Sequence, residues 1–109
     1  MKHYYLASPK KRKGDAITAT HGLFAGRKEV ASLELTDVFV RVYTIKPCKR
    51  DEVIDLLDAV KEIAENSGCR LITYYGDLDG RGEILKEYGF KESSNVPGGR
   101  WFKLVLSED

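Results

Sequence analysis

Few side chains in this 109-residue chain pair a reactive type with a reactive setting. His21 could act as a base, but no second titrating group accompanies it locally, which is the setting of a packed or surface histidine. Cys48 lies between Pro47 and Lys49, ahead of a helix start. Two cations and the helix dipole could make a reactive thiol there, while Asp51, Glu52 and Asp55 push the other way. Tyr74, Tyr75 and Tyr88 carry hydroxyls able to donate a proton to a leaving group, and packing is the competing explanation for all three. Lys46, Lys49 and Arg50 gather cations just before the same helix, where an anion also meets the positive end of the dipole. The acidic segment from Asp77 to Glu83 suggests the start of a calcium loop, yet Arg81 falls on a ligand position and Tyr88 where the bidentate Glu belongs. Asp79 as a helix N-cap accounts for the same residues. Cys48 and Cys69 form neither a metal pattern nor a disulfide framework, so no metal is expected.

The elements that must position these residues follow from periodicity. Tyr4 to Ala7 reads as a short first strand, followed by a basic loop over residues 9 to 15. Ala16 to Phe24 and Val30 to Leu35 read as two antiparallel strands joined by Ala25, Gly26, Arg27 and Lys28. Gly22, inside the first of them, signals a bulge or a close backbone approach. Val38 to Ile45 alternates with period two. Val53, Leu56, Leu57, Val60, Ile63 and Ala64 recur at helical spacing from Arg50 or Asp51 until Gly68, a left-handed cap. Cys69 to Tyr75 follows as a mostly apolar strand, so strand, helix and strand imply a crossover and a parallel pair. A helix from about Arg81 to Tyr88 stops at Gly89, and Phe90 to Ser93 with Arg100 to Leu106 makes a closing hairpin.

Length and composition fit one soluble domain spanning residues 1 to 109, with 42% hydrophobic and 32% charged residues. The N-terminus builds no signal-peptide core, no apolar run is long enough to span a bilayer, and a reduced, cytoplasmic protein is expected, monomeric or a homodimer. Net charge is +1, but residues 1 to 50 hold 11 Lys/Arg against 4 Asp/Glu and residues 51 to 109 hold 7 against 13. The two halves can attract each other within the fold, or the basic half can meet a partner. Lys10, Lys11, Arg12 and Lys13 resemble a nuclear-import signal and could touch phosphates, with a solvated loop as the plain alternative. The chain shows no basic platform interleaved with aromatics of the kind that binds single strands, so nucleic acid is a minority option beside a protein partner.

The order of elements, with Leu85-Lys86-Glu87-Tyr88-Gly89-Phe90 ending the second helix, resembles the GNAT family of acyl-CoA-dependent N-acyltransferases over about residues 16 to 106. The resemblance implies an α+β, GNAT-like mixed sheet with an antiparallel N-terminal meander, a long crossover helix and a parallel strand pair. It also implies acetyl-CoA or another acyl-CoA as the acyl source and an amine as acceptor. In that family the fourth strand bulges and splays from the fifth, the pantetheine arm lies between them, and a glycine-rich turn at the following helix presents N–H groups to the pyrophosphate.

Carried over residue by residue, Ile45, Lys46, Lys49 and Arg50 would contact the cofactor. Arg50 matches the turn pattern, but Val53 and Asp55 fill both glycine positions. Leu85 stands where the family commonly has its acid Tyr, which leaves Tyr88 and Tyr74 as the catalytic candidates. Only Pro9 to Asp15 separates the first two strands, where the family has one or two helices shaping the acceptor pocket. The resemblance therefore implies a degenerate GNAT site, and a non-catalytic interaction module on the same scaffold is the alternative, presenting the basic loop with or without Arg27, Lys28 and Arg41.

Overall fold

The structure is a computed structural model that describes residues 3–7, 20–76, 81–96 and 99–106, with side chains described for 3–7, 20–74, 81–92 and 101–106. The basic loop, the acidic loop from Asp77 to Gly80 and the Tyr75 side chain lie outside the described side chains. Seven strands form one mixed sheet: β1 (Tyr4–Ala7), β2 (His21–Ala25), β3 (Lys28–Leu35), β4 (Phe39–Ile45), β5 (Leu71–Gly76), β6 (Lys91–Val96) and β7 (Gly99–Val105), in the order β1-β2-β3-β4-β5-β7-β6. Helix α1 (Arg50–Asn66) follows β4, and α2 (Arg81–Tyr88) follows β5. β4 and β5 are parallel and every other pair is antiparallel. Among the described residues no helix is long and apolar enough to cross a membrane.

The β2–β3 hairpin is tighter than the four-residue connection read from sequence. Gly26 takes φ +65 and only Gly26 and Arg27 form the turn, because a left-handed glycine lets the strands close directly onto Ala25 and Lys28. Gly22 marks a close approach: a Cβ there would meet Glu29 Oε2 and Phe24 Cε1, each at 2.9 Å.

Each helix ends in the same device. After α1, Gly68 at φ +76 lets Gly68 N donate to Glu65 O (3.1 Å) and Cys69 N to Ala64 O (2.9 Å). After α2, Gly89 at φ +126 lets Gly89 N reach Lys86 O (3.1 Å) and Phe90 N reach Leu85 O (2.9 Å). Both are Schellman arrangements, and the second explains the Gly-Phe pair physically: Gly89 supplies the backbone, while Phe90 and Leu85 bury together.

The core lies between one face of the sheet and the two helices. Leu23, Ala31, Leu33, Val40, Val42, Ile72, Tyr74 and Phe102 share that face and meet Val53, Leu56, Leu57 and Val60 of α1 and Leu85 of α2. The Tyr4 hydroxyl, on the same face of β1 as Leu6, donates to Asp55 on α1 at 3.0 Å. Gly89 at the end of α2 stands against Leu104. Both helices therefore cover one side. On the other, no described element packs over Tyr5, Phe24, Glu34, Phe39, Arg41, Tyr43, Thr73 and Trp101.

Candidate active site

The site begins with a defect in the sheet. The β4–β5 ladder runs through Phe39↔Leu71, Val40↔Ile72, Arg41↔Thr73 and Val42↔Tyr74, and there it ends. β4 nonetheless continues to Ile45 on β3, and β5 continues to Gly76 on β7. At the same point the β3–β4 register shifts, with Ser32 opposite Thr44 and Leu33 opposite Val42, so Tyr43 is an extra residue in β4. A bulge adds local twist and turns the strand out of line. Here it falls where β4 leaves β5, and the β5-side backbone of Tyr43, Thr44 and Ile45 loses its sheet partner.

The connection from β4 to α1 lies at the mouth of this split. Lys46 N donates to Val30 O at 2.8 Å, fixing the departure of the chain from β3. Lys49 is the N-cap residue of α1 and makes no side-chain cap, so the first turn of the helix carries its dipole without an internal side-chain acceptor. Arg81, the first residue of α2, closes the other side. Its Nε donates to Pro47 O (2.9 Å), and its Nη2 to Lys46 O (3.1 Å) and to Cys48 Sγ (3.3 Å). The thiol is exposed and directed toward Lys46 O at 3.7 Å.

The cofactor-side residues read from sequence come together in part. Ile45 is buried at the end of β4, and Lys46 and Lys49 are exposed on the loop. Arg50 points instead across to α2, where Nε donates to Glu87 Oε2 at 3.0 Å and Nη2 pairs with Glu87 Oε1. Hydrogen bonding to Glu87 raises the Arg50 pKa above its ordinary value, and the reciprocal bond lowers that of Glu87. Arg81 is the cation that sequence reasoning missed, since nothing local to it announces that α2 begins beside residues 46 to 48.

The tyrosines are placed differently from one another. The Tyr88 hydroxyl donates to Asp58 Oδ1 at 2.7 Å, bridging α2 to α1, and burial first and that bond second raise its pKa. Asp58 lies eight residues into α1, about 12 Å along the axis from its start. Tyr74 is 4% exposed in the core with its ring 6.5 Å from that of Phe102. Tyr43 is the β4 tyrosine at the split. Its hydroxyl donates to Glu34 Oε1 at 3.3 Å, on the sheet face away from the helices. His21 holds Thr20 Oγ1 at 2.9 Å at the start of β2 and joins none of these groups.

That face also carries a cation between rings. The Arg41 guanidinium sits 5.0 Å from the Phe39 ring centroid and 5.6 Å from that of Trp101, with Glu34 3.8 Å away. One basic residue therefore meets two aromatic rings on this face, because β7 brings in Trp101. Two recesses, of about 400 Å³ beside Lys28, Lys46 and Glu52 and about 530 Å³ beside Tyr4, Asp55 and Glu62, flank α1 on its β1–β3 side. Neither has a described β5 residue in its lining, so the split is defined by backbone pairing and not by concavity.

Comparison with solved structures places this arrangement in a known fold. A GNAT family acetyltransferase from Elizabethkingia anophelis with acetyl-CoA bound superposes with TM-score 0.62 and 11% identity, covering 95% of this chain and 97% of that one. An acetyltransferase from Bacillus cereus gives 0.61 and 17%, covering 95% and 74%. The PaiA N-acetyltransferase from Thermoplasma acidophilum in complex with coenzyme A gives 0.59 and 15%, covering 78% of this chain but 58% of that one, under two thirds of its length. No family sequence model matches the chain, and no curated protein matches it by sequence. The chain thus has the GNAT fold, shared at the level of structure.

Proposed function

We propose that this protein is an acyl-CoA-dependent N-acyltransferase that receives the pantetheine arm in the split between β4 and β5. One observation carries the reading: the parallel ladder stops at Val42 and Tyr74 while both strands run on, at a bulge in β4. An extended amide-bearing chain is the ligand such a gap suits, because strand backbone bonds depend little on side-chain identity. The CoA and acetyl-CoA complexes among the structural neighbours support the same reading.

The phosphates would be met by side chains in place of a glycine cradle. Lys46 and Lys49 offer exposed side chains beside the start of α1, which has no side-chain cap, and Arg81 bonds the carbonyls of Lys46 and Pro47. Asp51 and Glu52 oppose them, as like charges about 4 Å apart repel by roughly 1 kcal/mol in water and more at a protein surface. Weak affinity for free CoA follows from that balance.

In the transfer itself a neutral amine attacks the thioester carbonyl, the C–N bond forms as the C–S bond breaks, and the sulfur leaves with a proton. Leu85, at the position of the family's acid, is fully buried and has no proton to give. Tyr88 and Tyr74 are engaged between helices and within the core, so we assign the donor role to Tyr43 at the split, with Glu34 accepting from its hydroxyl. Glu34 would also take the proton the amine loses.

Release of free thiol from acetyl-CoA in the presence of a mixed primary-amine panel tests the reading. Amine-dependent release that Tyr43→Phe lowers at least tenfold supports it. Absence of both turnover and acetyl-CoA binding by calorimetry overturns it. The alternative, a scaffold that binds a protein or nucleic acid and transfers nothing, is favoured by the engagement of Arg50 with Glu87, which removes the one residue matching the family turn. It predicts nucleic-acid or protein binding that Lys10/Lys11/Arg12/Lys13→Ala abolishes, and no effect of acyl-CoA.

A further inference from the structure

The sheet face opposite α1 and α2 holds two polar atoms that no described residue satisfies. Arg41 Nε and Thr73 Oγ1 are buried, and neither has a hydrogen-bond partner among the described residues. They are not scattered, since Arg41 and Thr73 are direct cross-strand partners, one rung before the β4–β5 ladder ends. A buried unsatisfied polar atom is costly, so two on one rung beside a gap in the sheet point to an unfilled interaction.

The surroundings specify the missing group. The Arg41 guanidinium lies over the rings of Phe39 and Trp101, and its side chain is 37% exposed. Glu34 is the carboxylate that faces it, and at 3.8 Å from Nη1 it is an ion pair beyond hydrogen-bond reach. Glu34 is itself occupied by the Tyr43 hydroxyl. The guanidinium therefore retains donors for a second, planar anion, and a guanidinium fork matches a carboxylate better than an ammonium does.

We propose that Arg41 and Thr73 form the anion-recognising end of the acceptor site, selecting amines that carry a carboxylate. The split opens at Tyr43, two residues beyond Arg41. At about 3.3 Å per strand residue the amine and the carboxylate of the acceptor lie within roughly 7 Å of each other, the scale of a small amino acid. The identity of the ligand as an acceptor rests on the acyl-transfer reading; the anion site itself does not.

Trp101 is the only tryptophan in the chain and so reports on the site without any acyl donor. Glycine, β-alanine and 4-aminobutyrate, each beside its primary amide, are titrated into the free protein while Trp101 emission and the Arg41 Hε proton resonance are followed. The proposal predicts that at least one acid binds tenfold or more tightly than its amide, and that Arg41→Gln erases that preference. Arg41→Lys, which keeps the charge but loses the fork, should retain only part of it, and the thermal midpoint of each variant verifies folding. Equal binding of acids and amides, no binding of either, or a preference that survives Arg41→Gln overturns the proposal. Acetyl-CoA calorimetry on the same samples separates the two readings. Acid binding without acetyl-CoA binding removes acyl transfer and leaves the anion site, and the reverse removes the anion site alone.

Discussion

The two faces of β4 are built on different terms. Toward the helices, Val40, Val42 and Ile45 are 0%, 1% and 5% exposed, in a core with no buried polar or charged residue among those described. Toward the other side, Phe39, Arg41 and Tyr43 alternate with them, half-buried and tied to Glu34 and Trp101. The first face is accounted for by the transfer of apolar surface from water, and its residues are interchangeable within volume limits. The second stacks a cation, leaves polar atoms unsatisfied and carries the bulge. The difference separates what the strand does for stability from what it does for chemistry.

Substitutions should divide along that line. Leu56→Ala, in the fully buried stripe of α1, should cost about 2–5 kcal/mol in denaturant unfolding, enough to threaten the fold. Gly89→Ala should cost about 1–3 kcal/mol, since a side chain at φ +126 is strained whatever space surrounds it. Tyr88→Phe, which removes the bond to Asp58 that joins the helices, should cost about 0.5–1.5 kcal/mol by the same measurement. Arg41→Gln on the opposite face should move stability by no more than about 1 kcal/mol, the range of an exposed ion pair with ring contacts. A loss comparable to that of Leu56→Ala would break the division between the faces.

The pH dependence is the smallest expected effect and concerns the helix ties. Burial and the bond to Asp55 push the Tyr4 pKa up to about 12, so the folded state prefers the protonated hydroxyl. That stabilisation is complete below about pH 10 and is lost as pH rises toward 12, and Tyr4→Phe should flatten this part of the stability curve. Glu87 behaves oppositely. Its lowered pKa contributes stability above the ordinary carboxylate range that is lost as pH falls through the folded value, a loss that Glu87→Gln should remove.

Much of the architecture was legible because it is written in local periodicity. The stripe of α1, the glycines that end both helices and the parallel pair implied by the crossover all appear where the residues suggest. The chemistry was less legible, because it depends on contacts made only on closure. Trp101 reaches Arg41 through the β5–β7 pairing, and Arg81 reaches the loop through the docking of α2. Asp58 reads as a solvent-facing carboxylate until Tyr88 is folded onto it. Tyr43 gives no local sign of a bulge, since its extra place in the strand is set by the register of β3.

The most direct test of the central claim is a backbone amide titration with acetyl-CoA. If the gap between β4 and β5 receives the pantetheine arm, the amides of Tyr43, Thr44 and Ile45 shift together with that of Lys49, while Val40 and Ile72, within the closed ladder, stay nearly still. Saturating acetyl-CoA that moves none of these amides, or moves only those remote from the split, would contradict the account.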